Sequence, residues 1–440
     1  MPEVTLVIRG GTVVGPDGLA RRDVAVGGGV VVALDETVEA PGGAHVLDAG
    51  GCLVGPGLVD LHTHLRQPGR EEAETIETGA RAAALGGFTA VVAMPNTEPP
   101  IDSAGVASEV LALGRGCAAD VAVAGAITVG REGRALAPLG ELADLGVTLF
   151  TDDGAGVQDG ALMRRALDYA KGLGVTLAQH CEDASLAGGG SMHEGAWSSR
   201  LGIPGMPAAA EEAMVARDIA LVRLTGASVH FLHLSTAGSV DLVRRAKEEG
   251  LPVTAEAAPH HMLLTHAEVA GYDPVFKVNP PLRTDDDVSA VIAGLCDGTI
   301  DAVATDHAPH APESKDAPFD EAPPGMLGLQ TALPVAWQVL SPLLPPERVF
   351  ALLSSQPAAI ARLTATDPRP GGHSAQGGPL DVGAAANVCV FDPTATTVVD
   401  PARLASRSRN TPYAGRTLGG AVRHTILRGE PVVIDAVAQR

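Results

Sequence analysis

The chain has 440 residues, more than one hydrophobic core usually holds, so its length predicts a large domain accompanied by a smaller one. Its 52 acidic residues outnumber its 31 basic residues, and the formal charge of −21 disfavours binding to nucleic acid or to anionic lipid. The 5 cysteines lie far apart with no C-x-x-C pair, which indicates reduced thiols rather than a disulfide framework.

The two ends of the chain share one texture, in which short valine-rich runs are separated by glycine turns. This pattern predicts β-strands from the start to about residue 55, and again after about residue 365. A connector rich in Gly and Pro, residues 367–383, precedes the second stretch. We expect residues 1–55 and 366–440 to pair into one β-sandwich domain. The opening residues have no basic or apolar segment typical of a signal peptide, so we expect a cytoplasmic protein without a membrane partner.

Residues 56–365 follow a different pattern, in which short apolar runs alternate with longer amphipathic segments. This alternation is typical of parallel strands joined by helices. A doubly wound open sheet would also alternate in this way, but no glycine-rich dinucleotide turn follows the first run. Eight successive units predict a (β/α)8 TIM barrel, an α/β fold. The runs are 56–64, 89–94, 121–128, 146–153, 175–181, 228–235, 252–259 and 300–309.

Long insertions follow several of these runs, on the side where barrel enzymes build their sites. Residues 188–207 and 310–325 are rich in Gly, Pro and charge and show little periodicity. We interpret both segments as candidate lids.

Histidines and acids collect at the carboxyl ends of the predicted strands. His62 and His64 follow the first run and share one face, as two ligands of one ion would. Because all strand ends converge on one mouth, the later residues can join them around one or two cations. Imidazole and carboxylate ligands without thiolate suit zinc, with other divalent ions left open. These later residues are the acidic pair Asp152-Asp153, His180, His233 and Asp306.

The strand pattern alone does not decide whether Asp152 or Asp153 would bind metal. His230 has the opposite parity to His233, so we expect it to be structural. We expect structural roles also for Cys181, His260, His261, His266 and His424.

Several of these residues lie in longer motifs. HLRQPG (64–69), MPNT (94–97), FTDDG (150–154), HLSTAG (233–238), KVNPPLR (277–283) and TDHAPH (305–310) occur in this order. With SRNTPYAGRTLGG (408–420) near the C-terminus, the chain resembles the bacterial type I dihydroorotases of the amidohydrolase superfamily over almost its full length.

The resemblance implies the reversible cyclisation of N-carbamoyl-L-aspartate to L-dihydroorotate, a step of pyrimidine biosynthesis. It implies that His62 and His64 bind one zinc ion, that His180 and His233 bind a second, and that Asp153 bridges them. Asp306 would touch the metal and act as general acid/base. Zinc lowers the pKa of bound water to about 7, so a metal-bound hydroxide is the expected nucleophile.

The substrate is a small anion, which needs a cationic partner in this acidic protein. Arg66 can bind a carboxylate through two parallel hydrogen bonds. The resemblance adds Asn96, Asn279 and His310 as substrate contacts, with backbone contacts at Pro324 and Gly325. Two positions depart from the family pattern: Gln67 replaces a usual glutamate and Gln356 a common asparagine.

Two alternatives stay open at this point. The first is another cyclic-amide hydrolase, such as an allantoinase or hydantoinase; these typically bridge their metals with a carboxylated lysine, which GVTLFTDDG lacks. The second is a non-catalytic, dihydroorotase-like partner of aspartate transcarbamoylase, against which the complete ligand set argues. We expect a homodimer, and association with aspartate transcarbamoylase is compatible with an active enzyme as well.

Overall fold

The computed structural model describes residues 2–367, 369 and 373–440, so part of the predicted connector lies outside the described residues. The strands are β1 (Leu6–Gly15), β2 (Gly18–Gly27), β3 (Val30–Asp35), β4 (His45–Asp48), β5 (Leu53–Pro56), β6 (Leu58–Thr63), β7 (Phe88–Ala93), β8 (Asp120–Val123), β9 (Leu149–Thr151), β10 (Thr176–Gln179), β11 (Met192–His193), β12 (Gly205–Met206), β13 (Val229–Phe231), β14 (Val253–Ala257), β15 (Ala302–Val303), β16 (Val388–Val398), β17 (Thr417–Leu427), β18 (Glu430–Ile434) and β19 (Val437–Ala438).

The helices are α1 (Ile76–Leu85), α2 (Ala104–Gly114), α3 (Leu139–Asp144), α4 (Gly160–Leu173), α5 (Ala184–Ala187), α6 (Ala196–Leu201), α7 (Ala209–Thr225), α8 (Ala237–Glu248), α9 (Pro259–Leu263), α10 (Asp285–Asp297), α11 (Pro312–Lys315), α12 (Ala332–Leu340), α13 (Pro346–Leu353) and α14 (Ser355–Ile360). Short 3-10 helices span Val129–Arg131, His266–Gly271, Pro274–Phe276 and Pro401–Arg403.

Eight parallel strands form a closed barrel. One sheet runs β6-β7-β8 and another runs β15-β14-β13-β10-β9. A parallel bridge between Gly125 and Phe150 joins β8 to β9, and one between Thr63 and His307 joins the last strand to the first. Six of the eight strands fall within their predicted runs, and β7 and β8 each begin one residue earlier, so the predicted (β/α)8 barrel is confirmed.

A buried acid holds the seam where the barrel closes. Asp60 on β6 accepts hydrogen bonds from the backbone N–H of Thr305 at 2.7 Å and from its hydroxyl at 2.6 Å. The Thr63 hydroxyl also donates to this carboxylate. Burial raises the pKa of Asp60 to about 6, although these hydrogen bonds oppose the shift. The residues of this seam, Asp60 and Thr305, come two residues before His62 and one residue before Asp306 in the sequence.

Apolar side chains pack on both faces of the barrel wall, against the helices outside and against one another inside. One cluster joins the outer strand faces to the surrounding helices, as expected for buried parallel strands. A second cluster links strands from opposite sides of the barrel and therefore fills its interior. It contains Val59, Leu61, Val92, Leu149, Ala178 and Ala302, with Ala358 and Leu363 beneath them.

The two ends of the chain meet in one sheet of nine strands. Its order is β19-β18-β17-β16-β5-β1-β2-β3, with β4 paired to β1. The contact between the two ends is the antiparallel pair of β5 and β16, in register from Leu53 with Phe391 to Pro56 with Val388. We keep residues 1–55 with 366–440, and 56–365, as the proposed division into domains.

The two candidate lids differ in structure. Residues 188–207 contain β11, α6 and β12, whereas residues 310–325 contain only α11. The five cysteines are free thiols, as predicted. Within the described ranges, no helix combines the length and apolarity needed to cross a membrane.

Candidate metal centre

Four histidines surround one carboxylate at the carboxyl end of the barrel. The Asp153 Oδ1 atom lies 3.4 Å from His62 Nε2, and 3.5 Å from both His180 Nδ1 and His233 Nε2. The Asp153 Oδ2 atom lies 3.6 Å from His64 Nε2. All five residues are buried. We call them the ligand cluster.

The spacing of these atoms suits metal ions better than direct hydrogen bonds. Ligand atoms around a tetrahedral zinc, with bonds of about 2.1 Å, are roughly 3.4 Å apart. Histidine–carboxylate hydrogen bonds are usually shorter than the distances found here. Among the described residues, His62 Nε2 is buried without a hydrogen-bond partner. Two groups could each hold an ion, and Asp153 belongs to both: His62, His64 and Asp153, and Asp153, His180 and His233.

The structure distinguishes the two neighbouring acids at the end of β9. Asp152 Oδ1 accepts from the backbone N–H groups of Ile127 at 2.9 Å and Thr128 at 3.0 Å. Its Oδ2 atom accepts from the Thr128 hydroxyl. Asp152 therefore ties β9 to the loop after β8, and Asp153 alone faces the four imidazoles.

His62 is oriented by a buried relay that the sequence analysis missed. Its Nδ1 atom lies 2.9 Å from Glu256 Oε1 on β14, and the other Glu256 oxygen lies 3.0 Å from His230 Nε2. The Thr254 hydroxyl is 2.8 Å from His230 Nδ1. Because a carboxylate only accepts, both histidines must donate to Glu256. His230 is thus structural. Glu256 opens the sequence EAAPHH (256–261), which could have drawn attention to it.

The relay sets the charge around His62. Burial disfavours the charged imidazole, but the carboxylates of Asp153 and Glu256 raise the pKa of His62 well above its usual value. Burial likewise opposes ionisation of Asp153, yet the surrounding histidines lower its pKa well below the usual value. The carboxylates around His62 therefore favour a positive charge, from a proton or a cation, beside the ionised Asp153.

Two other ligand histidines have partners of different kinds. His64 Nδ1 lies 2.8 Å from Asn96 Oδ1, and Asn96 Nδ2 lies 3.4 Å from Asp153 Oδ2. His180 Nε2 lies 3.5 Å from Glu182 Oε2, which accepts from Asn279 Nδ2 at 2.7 Å. Asn96 and Asn279, both predicted to contact substrate, therefore also support the ligand cluster. Glu182, two residues after His180, was also missed by the sequence analysis.

Asp306 lies beside the ligand cluster, on the His62 and His64 side. Its Oδ1 atom is 3.3 Å from His64 Nε2 and 3.6 Å from His62 Nε2. Burial opposes ionisation, but the neighbouring His64 imidazole and the charge of His62 lower the pKa of Asp306. The side chain is therefore an ionised carboxylate facing the centre. His260 Nε2, predicted to be structural, is 4.0 Å from its other oxygen.

The predicted substrate residues line the same mouth. Arg66 is buried, and its one side-chain hydrogen bond to the described residues runs from Nε to the Pro309 carbonyl at 3.1 Å. His310 Nε2 donates to the Pro324 carbonyl at 2.8 Å. A β-carbon on Gly325, which has a φ of +147°, would lie 2.7 Å from His310 Nε2. Only glycine fits there.

The two departures from the family pattern lie outside the ligand cluster. Gln67 Oε1 accepts from the Ile76 backbone N–H at 3.0 Å, at the start of α1. Gln356 lies on α14, and its Oε1 atom is buried without a partner in the described part of the chain.

Known proteins are similar to this chain in sequence and in fold. Residues 51–239 match the family model described as Dihydro-orotase-like. A dihydroorotase of Pelotomaculum thermopropionicum is 49% identical over 98% of this chain and 99% of the relative. One of Streptomyces coelicolor is 49% identical over 98% of both chains. One of Mycobacterium tuberculosis is 48% identical, covering 98% and 99% respectively.

Solved structures show the same architecture. An L-hydantoinase (dihydropyrimidinase) from Arthrobacter aurescens matches with a TM-score of 0.85 at 23% identity, over 99% of this chain and 98% of the other. A D-hydantoinase from a Bacillus sp. AR9 matches with a TM-score of 0.81 at 26% identity, over 99% and 97%. This fold and the buried His/Asp cluster define a cyclic amidohydrolase. More narrowly, the identity of nearly one half over almost the whole length shows that the chain belongs to the dihydroorotase family.

The assignment of the two acids on β9 can be tested by metal content. We expect Asp153→Asn to bind less added zinc than wild type, because an uncharged amide is a poor bridge between cations. Asp152→Asn should bind as much as wild type, since the asparagine oxygen still accepts from the backbone and its NH2 can donate to Thr128. Zinc per chain is measured after dialysis, with circular dichroism as a check of folding. The reverse order of zinc loss would contradict the assignment.

The Glu256 relay predicts a change in metal affinity without a change in the ligands. We expect Glu256→Gln to weaken zinc binding by about 10–100-fold, as for other partners of metal-binding histidines. Competition with a chromophoric chelator measures this affinity. Asp23→Asn, which removes a buried carboxylate on β2 instead, is the matched control and should bind zinc normally. Equal affinity in both variants would refute a role for Glu256.

Proposed function

We propose that the chain catalyses the reversible cyclisation of N-carbamoyl-L-aspartate to L-dihydroorotate. The observation that carries this proposal is the position of the Asp306 carboxylate, which lies 3.3 Å from His64 Nε2 and 3.6 Å from His62 Nε2 at the mouth that also holds Arg66. Membership of the dihydroorotase family supports the choice of substrate.

We infer that the ligand cluster holds one or two zinc ions. His62 and His64 would hold one, His180 and His233 the other, with Asp153 between them. Imidazole and carboxylate donors at this spacing suit zinc, and no thiolate is needed. When bound, such ions would lower the pKa of water, which supplies the nucleophile, and would polarise the carbonyl group that is attacked.

Asp306 would move the proton in both directions. In ring opening, the amide C–N bond breaks and the departing nitrogen needs a proton, which the protonated Asp306 donates after taking one from the attacking water. In ring closure, the Asp306 carboxylate takes the proton from the carbamoyl nitrogen as the new C–N bond forms and water leaves. The lowered pKa of Asp306 keeps it ionised at the start of either sequence.

Arg66 and Asn96 would bind the substrate carboxylate that does not react. The Arg66 Nε atom is held by Pro309, so its two Nη nitrogens can form the paired hydrogen bonds that a carboxylate prefers. The Asn96 oxygen already accepts from His64, so its NH2 group is the part available to substrate. Asn279, His310 and the backbone of Pro324 and Gly325 would complete the contacts.

The two alternatives remain as controls. A hydantoinase or allantoinase would share the fold, but here Asp153 would bridge the metals, where those enzymes typically use a carboxylated lysine. A non-catalytic scaffold would not need Asp306 and the ligand cluster to be assembled. The homodimer, the cytoplasmic location and assembly with aspartate transcarbamoylase stay predictions from the sequence.

Turnover tests the proposal directly. We expect purified protein to hydrolyse L-dihydroorotate, to lose this activity on chelation, and to regain it with zinc. Hydantoin and allantoin serve as competing substrates under the same conditions. Preference for either would refute the substrate, and full activity after verified metal removal would refute the metal-dependent mechanism.

The role of Asp306 predicts a loss of rate rather than of metal. We expect Asp306→Asn to lower kcat by about 10²–10⁴-fold, because the amide cannot relay the proton. Zinc bound by the ligand cluster should be retained. Asp120→Asn, at the start of β8 and away from the mouth, is a control and should keep its kcat. An Asp306→Asn enzyme with normal kcat would exclude Asp306 as the proton carrier.

A further inference from the structure

One side chain from the C-terminal segment is inserted between the two ends of the loop after β15. We call residues 308–325 the mouth loop. Asn410 is 6% exposed, and its Nδ2 atom donates to the Ala308 carbonyl at 3.0 Å and to the Gly325 carbonyl at 3.1 Å. Its Oδ1 atom accepts from the His310 backbone N–H at 3.2 Å. Both amide hydrogens and the amide oxygen are therefore used, and they fix the separation of the loop ends.

The clamped loop ends carry groups on the substrate side of the mouth. The Pro309 carbonyl, between two of the clamped residues, accepts the hydrogen bond from Arg66 Nε. At the other end, the Pro324 carbonyl accepts from His310, and Gly325 packs against the same ring. A shift of the loop ends would thus move the guanidinium that faces the substrate carboxylate.

The metal side of the mouth is held by a separate network. The His64 backbone N–H donates to the His307 carbonyl at 2.9 Å. His307 Nε2 donates to Glu74 at 3.2 Å, and its Nδ1 accepts from the Gly328 backbone N–H at 3.2 Å. These bonds hold the turn that carries Asp306, and Asn410 takes part in none of them.

We propose that Asn410 is a positioning residue for recognition of the substrate carboxylate. It acts through the mouth loop on Arg66 and His310, and it does not act on the metals or on Asp306. This inference rests on the proposed function for its substrate, whereas the clamp itself can be tested without turnover.

The isosteric change Asn410→Asp separates this role from simple filling of space. An aspartate keeps the volume and can still accept from His310, but it places an oxygen against the carbonyls of Ala308 and Gly325, where a donor is required. We expect the KM for dihydroorotate to rise about tenfold or more in Asn410→Asp, with kcat within about threefold of wild type. Asn410→Ala should show a smaller rise in KM, because it leaves the carbonyls unpaired without repulsion.

Asn387 supplies the matched control. It is 4% exposed in the C-terminal segment, donates to the Ala375 carbonyl and accepts from the Arg428 backbone N–H, both at 2.8 Å. Asn387→Asp should leave the KM unchanged. Zinc content should match wild type in all variants.

Hydrogen exchange provides the measurement that is independent of activity. The Leu327 backbone N–H donates to the Asn410 backbone carbonyl at 3.1 Å. We expect Asn410→Asp to speed exchange of the backbone N–H groups of His310 and Leu327, and Asn387→Asp to leave them unchanged. Unchanged KM in Asn410→Asp, or a fall in kcat or zinc content without a rise in KM, overturns the proposal. If wild-type protein does not turn over dihydroorotate, the proposed function fails, and unchanged exchange at these groups would separately refute the clamp.

Discussion

A carboxylate held out of water among four imidazoles is the constraint on which the mouth of the barrel depends. An isolated buried charge is expensive, and Asp153 is tolerated only because imidazole nitrogens from three strand ends face it. The imidazole nitrogens point at common centres, and among the described residues His62 Nε2 finds no hydrogen-bond partner there. A divalent cation bound among these groups would therefore stabilise the fold further.

The ligand histidines differ in what stands behind them. His62 is supported by a fully buried carboxylate, His64 by an amide oxygen, and His180 by Glu182, whose side chain is 23% exposed. An imidazole that donates a hydrogen bond to a buried carboxylate is a more basic metal ligand than one that donates to an amide or to a hydrated acid. These three histidines are therefore chemically unequal, although each presents an imidazole to the ligand cluster.

Sequence patterns were sufficient for the strands and for the gathering of side chains, because both follow from barrel topology. Each of the eight apolar runs marks one strand to within a residue of its start, and the predicted site residues meet at one mouth. These residues are His62, His64, Asp153, His180, His233 and Asp306; their roles as ligands and acid remain a proposal. Asp152 and Asp153 could not be separated from the sequence, since the decision rests on donors from Ile127 and Thr128 on a neighbouring loop. Glu256 and Asn410 escaped notice because each acts on residues far away in the chain, which periodicity does not reveal.

The pairing of β5 with β16 has a consequence for how the protein is made. Every strand and helix of the barrel is synthesised between these two partners, so the barrel can form on the ribosome while the sheet from the chain ends still lacks half of its strands. The segment with Asn410 also emerges after the whole barrel. The order of translation thus delivers the ligand cluster first and Asn410 last. With the roles proposed here, a nascent chain would acquire its affinity for metal before its selectivity for substrate.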